Sequence, residues 1–278
     1  MVIKKQDATT SIILFLFNSF LIPKGMTKIS LKNIFKLMEP FKKSETSIRM
    51  GLSRAVKAGI LRNIKENDHE VYYELVENGT KNLEEWKEAK QIFWKKISMK
   101  KNSWNNFWCV VVLDTANIKN KKEEMLEHIK NLGFAKISRD TYIHPNDFSK
   151  DVESKMIEYG CGEQVKVFIS KFVSQHNVSN FVNKHWNINA INKKYIDFTF
   201  NYPPTLSVWN GVSEPEKVIP FCHNFIHDFT ELMKIDPVLP AEFVGVNWEG
   251  DNVLRILDQF NKTVAPRAKD IVDKILNN

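Results

Sequence analysis

Cysteine is scarce in this 278-residue chain: Cys109, Cys161 and Cys222 are three in number and far apart. That excludes a disulfide scaffold or a cysteine zinc cluster, and leaves the thiols as small apolar groups suited to a reducing compartment. Ten glycines and ten prolines leave no room for a long flexible tract. No Gly-rich phosphate loop, nucleophile elbow or Ser-His-Asp spacing stands out, so no cofactor and no catalytic site are expected. Long hydrophobic runs are also missing. Ser11–Ile22, SIILFLFNSFLI, follows Lys4 and Lys5 as a signal-peptide core would, but it contains Asn18 and Ser19 and leads into Pro23–Lys24–Gly25. It is too short to span a bilayer and has no small-residue cleavage site. It reads as the apolar first helix of a folded domain, with no membrane partner and the cytoplasm as the expected location.

What is abundant is positive charge, and it is concentrated. The formal net charge is +7, yet residues 1–100 carry +8 and the remaining residues −1. Between Lys24 and Lys65 there are 11 basic residues and two acidic ones, Glu39 and Glu45. Such a segment is the footprint of a nucleic-acid-binding module, because lysine and arginine displace counterions from phosphates. A solvated basic surface would look the same on charge alone.

The pattern of residues 8–80 separates the two readings. An apolar helix is followed by a helix over Ser30–Met38, which must stop before Pro40, and a third over Ser44–Ala58 with Ser44 as N-cap and Gly59 as stop. Ile60–Ile64 and Glu70–Leu75 read as strands joined by the polar turn Lys65–His69. Three helices and a hairpin are the plan of a winged helix-turn-helix. On a helical wheel Ile48, Leu52 and Ala55 share a narrow arc, with Gly51 and Val56 at its edges. Thr46, Met50, Ser53 and Lys57 lie opposite, flanked by Arg49 and Arg54. An apolar stripe that seats the helix, backed by hydroxyls and arginines, suits a helix that enters the major groove. The candidate contacts to double-stranded DNA are therefore Thr46, Arg49, Ser53, Arg54 and Lys57, with Lys42 and Lys43 on the preceding turn and His69 in the wing.

Residues 81–101 read as a charged linker helix with Leu83, Trp86 and Lys90 on one face. Over 102–173 the order is strand Phe107–Leu113, helix Lys121–Leu132 closed by Gly133, strands Phe134–Ser138 and Thr141–His144, helix Asn146–Tyr159 and strand Val165–Ser170. That βαββαβ order is the ferredoxin-like plan. Residues 174–278 read as a helical domain jointed by prolines. The expected class is α+β, with a domain at 1–80, a linker helix at 81–101 and further domains at 102–173 and 174–278.

These pieces resemble the PaaX family of bacterial transcriptional regulators. The resemblance runs through SIILFLF at 11–17, SIRMGLSRAVKAGIL at 47–61, VYYEL at 71–75, FWCVVVLD at 107–114, LGF at 132–134 and YIHP at 142–145. It continues through HWNINAINKKYIDF at 185–198 and HDFTELMKIDPVLPAEFVGVNWEG at 227–250. The resemblance implies a homodimeric repressor of a catabolic operon, relieved by a small acyl-coenzyme A effector such as phenylacetyl-coenzyme A. It implies DNA contacts at Arg49, Ser53, Arg54 and Lys57, and a wing around His69. The chain departs from the family pattern in its acidic wing, Glu66–Asn67–Asp68–His69–Glu70, in Thr230 where arginine is common, and in Val244–Gly245 in place of Leu-Pro.

Three other features invite chemistry. Asp114 ends an apolar strand where nucleases of similar fold place a metal-binding aspartate, so a metal-dependent nuclease is the alternative function; a turn-capping aspartate is the simpler reading. His223 and His227, four apart beside Cys222, have zinc-like spacing but no third ligand, and no metal is expected. The C-terminal aromatics Trp186, Tyr195, Phe198, Tyr202, Trp209, Phe221, Phe225, Phe229 and Trp248 could line an effector pocket, although their helical spacing equally describes a core. A basic domain that holds RNA is a further possibility.

Overall fold

The computed structural model describes residues 9–66, 70–100, 103–118, 121–172, 177–202 and 211–277. The fold is mixed α+β, with two antiparallel sheets among the described residues. The chain groups into two compact units, one of Met1–Lys87, Phe198–Thr230 and Asn252–Asn278, the other of Glu88–Asp197 and Glu231–Asp251. The C-terminal region is thus divided between both units. Among the described residues no helix is long and apolar enough to cross a membrane.

The first unit opens with α1 (Thr9–Leu16), which runs on as a π-helical turn, Phe17–Leu21, and a short 3-10 turn closed by Gly25 at φ 74°. Its apolar residues have almost no polar face to offer water, and Ile12, Ile13, Leu16, Phe17 and Leu21 are all buried. A strand that the sequence pattern does not reveal follows, β1 (Lys28–Ser30); three residues are too few to display a period of two. Ser30 then caps α2 (Leu31–Met38), its Oγ accepting the Asn33 N–H at 3.2 Å. Pro40 sits in the 3-10 turn Glu39–Phe41, and α3 (Glu45–Lys57) comes next. After Gly59, at φ 64°, the chain enters β2 (Leu61–Glu66) and β3 (Glu70–Leu75). These two pair antiparallel from Leu61↔Leu75 to Glu66↔Glu70, and β3 also pairs with β1, giving the order β1-β3-β2. The tip of the hairpin, with His69, lies outside the described residues. Helix α4 (Glu77–Lys100) begins four residues before the expected Lys81, with Asn78 Nδ2 donating to the Ala58 carbonyl at 2.9 Å.

The same unit contains the start of α9 (Pro215–Ile235) and most of α10 (Gly250–Asn277). Phe225 and Phe260 stack face to face at 4.0 Å, and Phe198 and Tyr202 pack edge-on to Phe225. These aromatics are core. Trp209 lies outside the described residues.

The second unit is built on β4 (Trp108–Leu113), β5 (Ala135–Lys136), β6 (Thr141–His144) and β7 (Val165–Ser170), antiparallel in the order β5-β6-β4-β7. The alternation of β4 separates two cores. Cys109, Val111 and Leu113 face α5 (Lys122–Leu132) and α6 (Ser149–Tyr159), with Met125, Ile129 and Val152 buried among them. Trp108 faces the other way, into a cluster with Ile143, Val182, Trp186 and Leu239, to which α7 (Val178–Trp186) and the start of α8 (Ile188–Asn201) contribute.

Asp236 and Pro237 form a buried hub in this unit. Lys96 Nζ donates to the Asp236 carbonyl at 2.5 Å and to that of Asn131 at 3.3 Å. Burial pushes the Lys96 pKa down to about 8, against the pull of the Asp236 charge. The Asp236 carboxylate accepts the Tyr195 hydroxyl and, at 2.7 Å, the Val238 N–H. Val238 stands at φ 52°, a costly conformation for a β-branched residue that these bonds hold in place. His144 is fully buried; burial, reinforced by the Lys96 charge, pushes its pKa down to about 3. The neutral ring accepts the Asn146 N–H at Nδ1 and donates from Nε2 to the Pro237 carbonyl at 3.4 Å.

Gly133 completes the hub. It lies at φ 94°, and a Cβ there would come within 2.7 Å of Pro237 Cα. Gly160 has a comparable φ of 65° but open space around it. Alanine at Gly160 should cost roughly 1–2 kcal/mol from backbone strain alone. Gly133→Ala should cost clearly more in denaturant unfolding. Equal costs for the two variants would mean that the contact with Pro237 contributes nothing.

Candidate nucleic-acid interface

Helix α3 is fixed at its start by Ser44, in extended conformation, whose Oγ accepts the Ser47 N–H at 3.2 Å. One of its faces is then closed by α1. A Cβ on Gly51 would lie 2.6 Å from Thr9 Cγ2, so only glycine lets the two helices meet this closely. Thr10 Oγ1 donates to the Gly51 carbonyl at 3.2 Å, and the hydroxyls of Thr9 and Ser47 share a bond of 3.0 Å. Ile48, Gly51, Leu52 and Ala55 are buried as a consequence.

The other face is open. Thr46, Arg49, Met50, Ser53, Arg54 and Lys57 are all exposed. Arg49 reaches along its own helix toward the Glu45 carboxylate at 3.9 Å and lies 5.1 Å over the Phe35 ring of α2. An exposed pair at that distance contributes little and yields readily to a phosphate. On the preceding turn Lys42 is exposed at φ 52°, its N–H donating to the Glu39 carbonyl at 2.9 Å, while Lys43 is half-buried. Helix and turn together bring Lys42, Lys43, Arg49, Arg54 and Lys57 into one short segment with Glu45 as its only acid. The hairpin adds less. Arg62 is engaged by the Glu74 carboxylate at 2.6 Å, and His69 is not among the described residues.

The wheel of α3 is legible in the sequence; the role of Gly51 is not. Glycine at the edge of an apolar arc carries no sign of which helix presses on it, and Thr9–Thr10 have no periodicity to announce the contact.

The other candidates have structural partners. Asp114 Oδ2 accepts from Asn117 Nδ2 at 2.6 Å, and its carbonyl accepts the Asn117 and Ile118 N–H groups, so it closes its own turn. His223 is buried with Phe15 and Phe41 packed edge-on at 5.0 and 5.6 Å, and His227 faces Asp228 at 3.3 Å. Among the described residues no group of three or more His, Cys, Asp or Glu could hold a metal ion.

Comparison with known proteins bears on the whole chain. Residues 8–79 match the family model described as PaaX-like protein, 101–182 the PaaX protein central Cas2-like domain, and 186–274 the PaaX-like protein C-terminal domain. The chain belongs to the PaaX family. A curated relative, the transcriptional repressor PaaX of Escherichia coli (strain K12), is 22% identical over 274 residues, covering 95% of this chain and 83% of that protein. The exposed face of α3 thus lies within the segment matched by the N-terminal PaaX model, and Asp114 within the Cas2-like one.

The seating of α3 can be tested apart from any ligand. Gly51→Ala overpacks the contact with Thr9 and should destabilise the chain by about 1–3 kcal/mol. Ser53→Ala, on the open face, should stay within about 0.5 kcal/mol of the parent. If thermal unfolding shows Gly51→Ala to be as stable as Ser53→Ala, α1 does not hold this helix.

Proposed function

We propose that this PaaX-family chain is a DNA-binding transcriptional repressor and not an enzyme. In this reading α2 and α3 form the helix-turn-helix, β2 and β3 the wing, and the βαββαβ unit a ferredoxin-like domain. The observation that carries the proposal is the two-sidedness of α3: its apolar residues are buried, while Thr46, Arg49, Ser53, Arg54 and Lys57 all face solvent. A helix seated in this way can enter the major groove with hydroxyls and guanidinium groups toward base edges. Lys42 and Lys43 supply phosphate contacts that fix register without reading sequence. Because the wing is acidic and Arg62 is already paired with Glu74, the helix carries most of the reading.

The relative's name supports repression as the mode of action. A homodimer would place two such helices on the half-sites of a palindromic operator. An acyl-coenzyme A effector such as phenylacetyl-coenzyme A would relieve repression by favouring a state that no longer fits DNA.

If Arg54 reads a base, Arg54→Ala should weaken operator binding by about 1–3 kcal/mol and relax specificity at one position. Lys57→Ala should weaken binding to all sequences and reduce the salt slope by about one. For the parent, affinity should fall steeply with salt, by a log–log slope of about −0.9 for each phosphate neutralised. Operator titrations in a salt series measure all three. A flat salt response, or parental affinity in both variants, would take α3 out of the interface.

A further inference from the structure

Within the first unit, a cleft of about 240 Å³ lies between the turn that precedes α3 and the first turns of α9. Ile12, Pro40, Phe41 and Pro220 give it apolar walls. Lys42 and Lys43 enter it from the turn, and Glu216, His223 and Asn224 from α9. Three properties make it more than a surface dent. Pro220 stands inside α9 and has no N–H for the Glu216 carbonyl, so that carbonyl lacks its ordinary helical donor where the cleft opens. His223 packs between Phe15 and Phe41, with Nδ1 3.0 Å from Asn224 Oδ1, so the back wall is braced by two rings and a polar contact. Lys42 is kept in a left-handed conformation, which aims the turn at this place at some cost in strain.

The lining also selects a ligand. An engineered cavity of roughly 150 Å³ holds benzene, so this cleft has room for one ring and a small head group. Two lysines face one carboxylate. Glu216 is exposed and screened by solvent, whereas Lys43 is half-buried and keeps more of its pull on an anion.

We propose that the cleft binds a one-ring organic anion, an aryl carboxylate or aryl phosphate, whose head group takes Lys42 and Lys43 while its ring packs on Phe41 and the two prolines. Its occupant competes with DNA phosphates for those same lysines. The competition rests on the DNA-reading role proposed above; the binding site does not.

Calorimetric titration of the full chain with phenyl phosphate, benzoate and inorganic phosphate tests the site. At least one of the two aryl anions should bind saturably, one per chain, and at least tenfold more tightly than inorganic phosphate. Which aryl anion wins tells whether the head group is phosphate or carboxylate. Asn224→Glu, which sets a negative charge at the cleft without touching α3, should weaken that binding at least tenfold. Lys43→Gln, which removes one of the cations, should do the same. On addition of the aryl anion the parent should release operator DNA, whereas Asn224→Glu, at its own starting affinity, should not. The proposal is overturned if no probe saturates the parent, if inorganic phosphate binds as well as both aryl anions, or if both variants bind like the parent. Should the parent bind no operator, the repressor reading fails, and the titrations still judge the cleft.

Discussion

The DNA-reading role proposed for this chain depends on the closeness of α1 to α3 at Gly51. Thr9 presses against the Cα of Gly51, Thr10 takes its carbonyl, and Thr9 also takes the hydroxyl of Ser47. That contact buries one side of an otherwise polar helix and fixes its rotation, so that the arginines cannot turn inward. The apolar α1 in turn needs partners to bury Ile12, Ile13 and Leu16. The same glycine therefore serves the stability of the domain and the orientation of the face that would meet DNA.

The second unit is organised around a different constraint, the Asp236–Pro237 hub. Gly133, His144, Lys96, Tyr195 and Trp186 come from segments far apart in the chain. Four of them meet Asp236 or Pro237 directly, and Trp186 donates its indole N–H to the Gly133 carbonyl at 2.8 Å. LGF, YIHP, HW and DPVLP are among the motifs on which the resemblance to the PaaX family rests, and the structure brings them together. They surround one hub, where Lys96, Tyr195 and the Val238 N–H bond to Asp236, His144 bonds to the Pro237 carbonyl and Gly133 lies against Pro237. These motifs of the second unit are thus concerned with architecture, while the residues proposed to read DNA lie in another motif of the resemblance, SIRMGLSRAVKAGIL at 47–61.

Much of the fold is legible in the sequence, and the reasons differ between elements. Helix α3 is readable because a cap, a 3.6-residue period and a terminal glycine agree. The strands β4 and β7 are readable because runs such as WCVVVL have few alternatives. Strand β1 is not, since three residues bear no period and its pairing with β3 is decided at a distance. Nor is the early start of α4, where Asn78 and Gly79 disfavour helix locally but are held by the Ala58 carbonyl and the close approach of the Ile60 backbone. The candidate site divides along the same line. Its exposed residues follow from the wheel, whereas the partners that make the wheel face outward, Thr9, Thr10 and Phe35, follow only from tertiary contact. A turn cap at Asp114 and the want of a third ligand beside His223 and His227 are legible in the sequence, whereas the rings that pack on His223 are not.

Site-directed cross-linking from the open face of α3 tests the central claim most directly. The native cysteines are buried, and burial pushes the thiols of Cys109 and Cys222 up to about 12, so a photoreactive thiol reagent should label only a cysteine introduced by Ser53→Cys. On operator DNA the account predicts cross-links to major-groove base edges, in two clusters about 10 base pairs apart or a multiple of that for a dimer. Cross-links to no base from position 53, with the operator still bound, would contradict it.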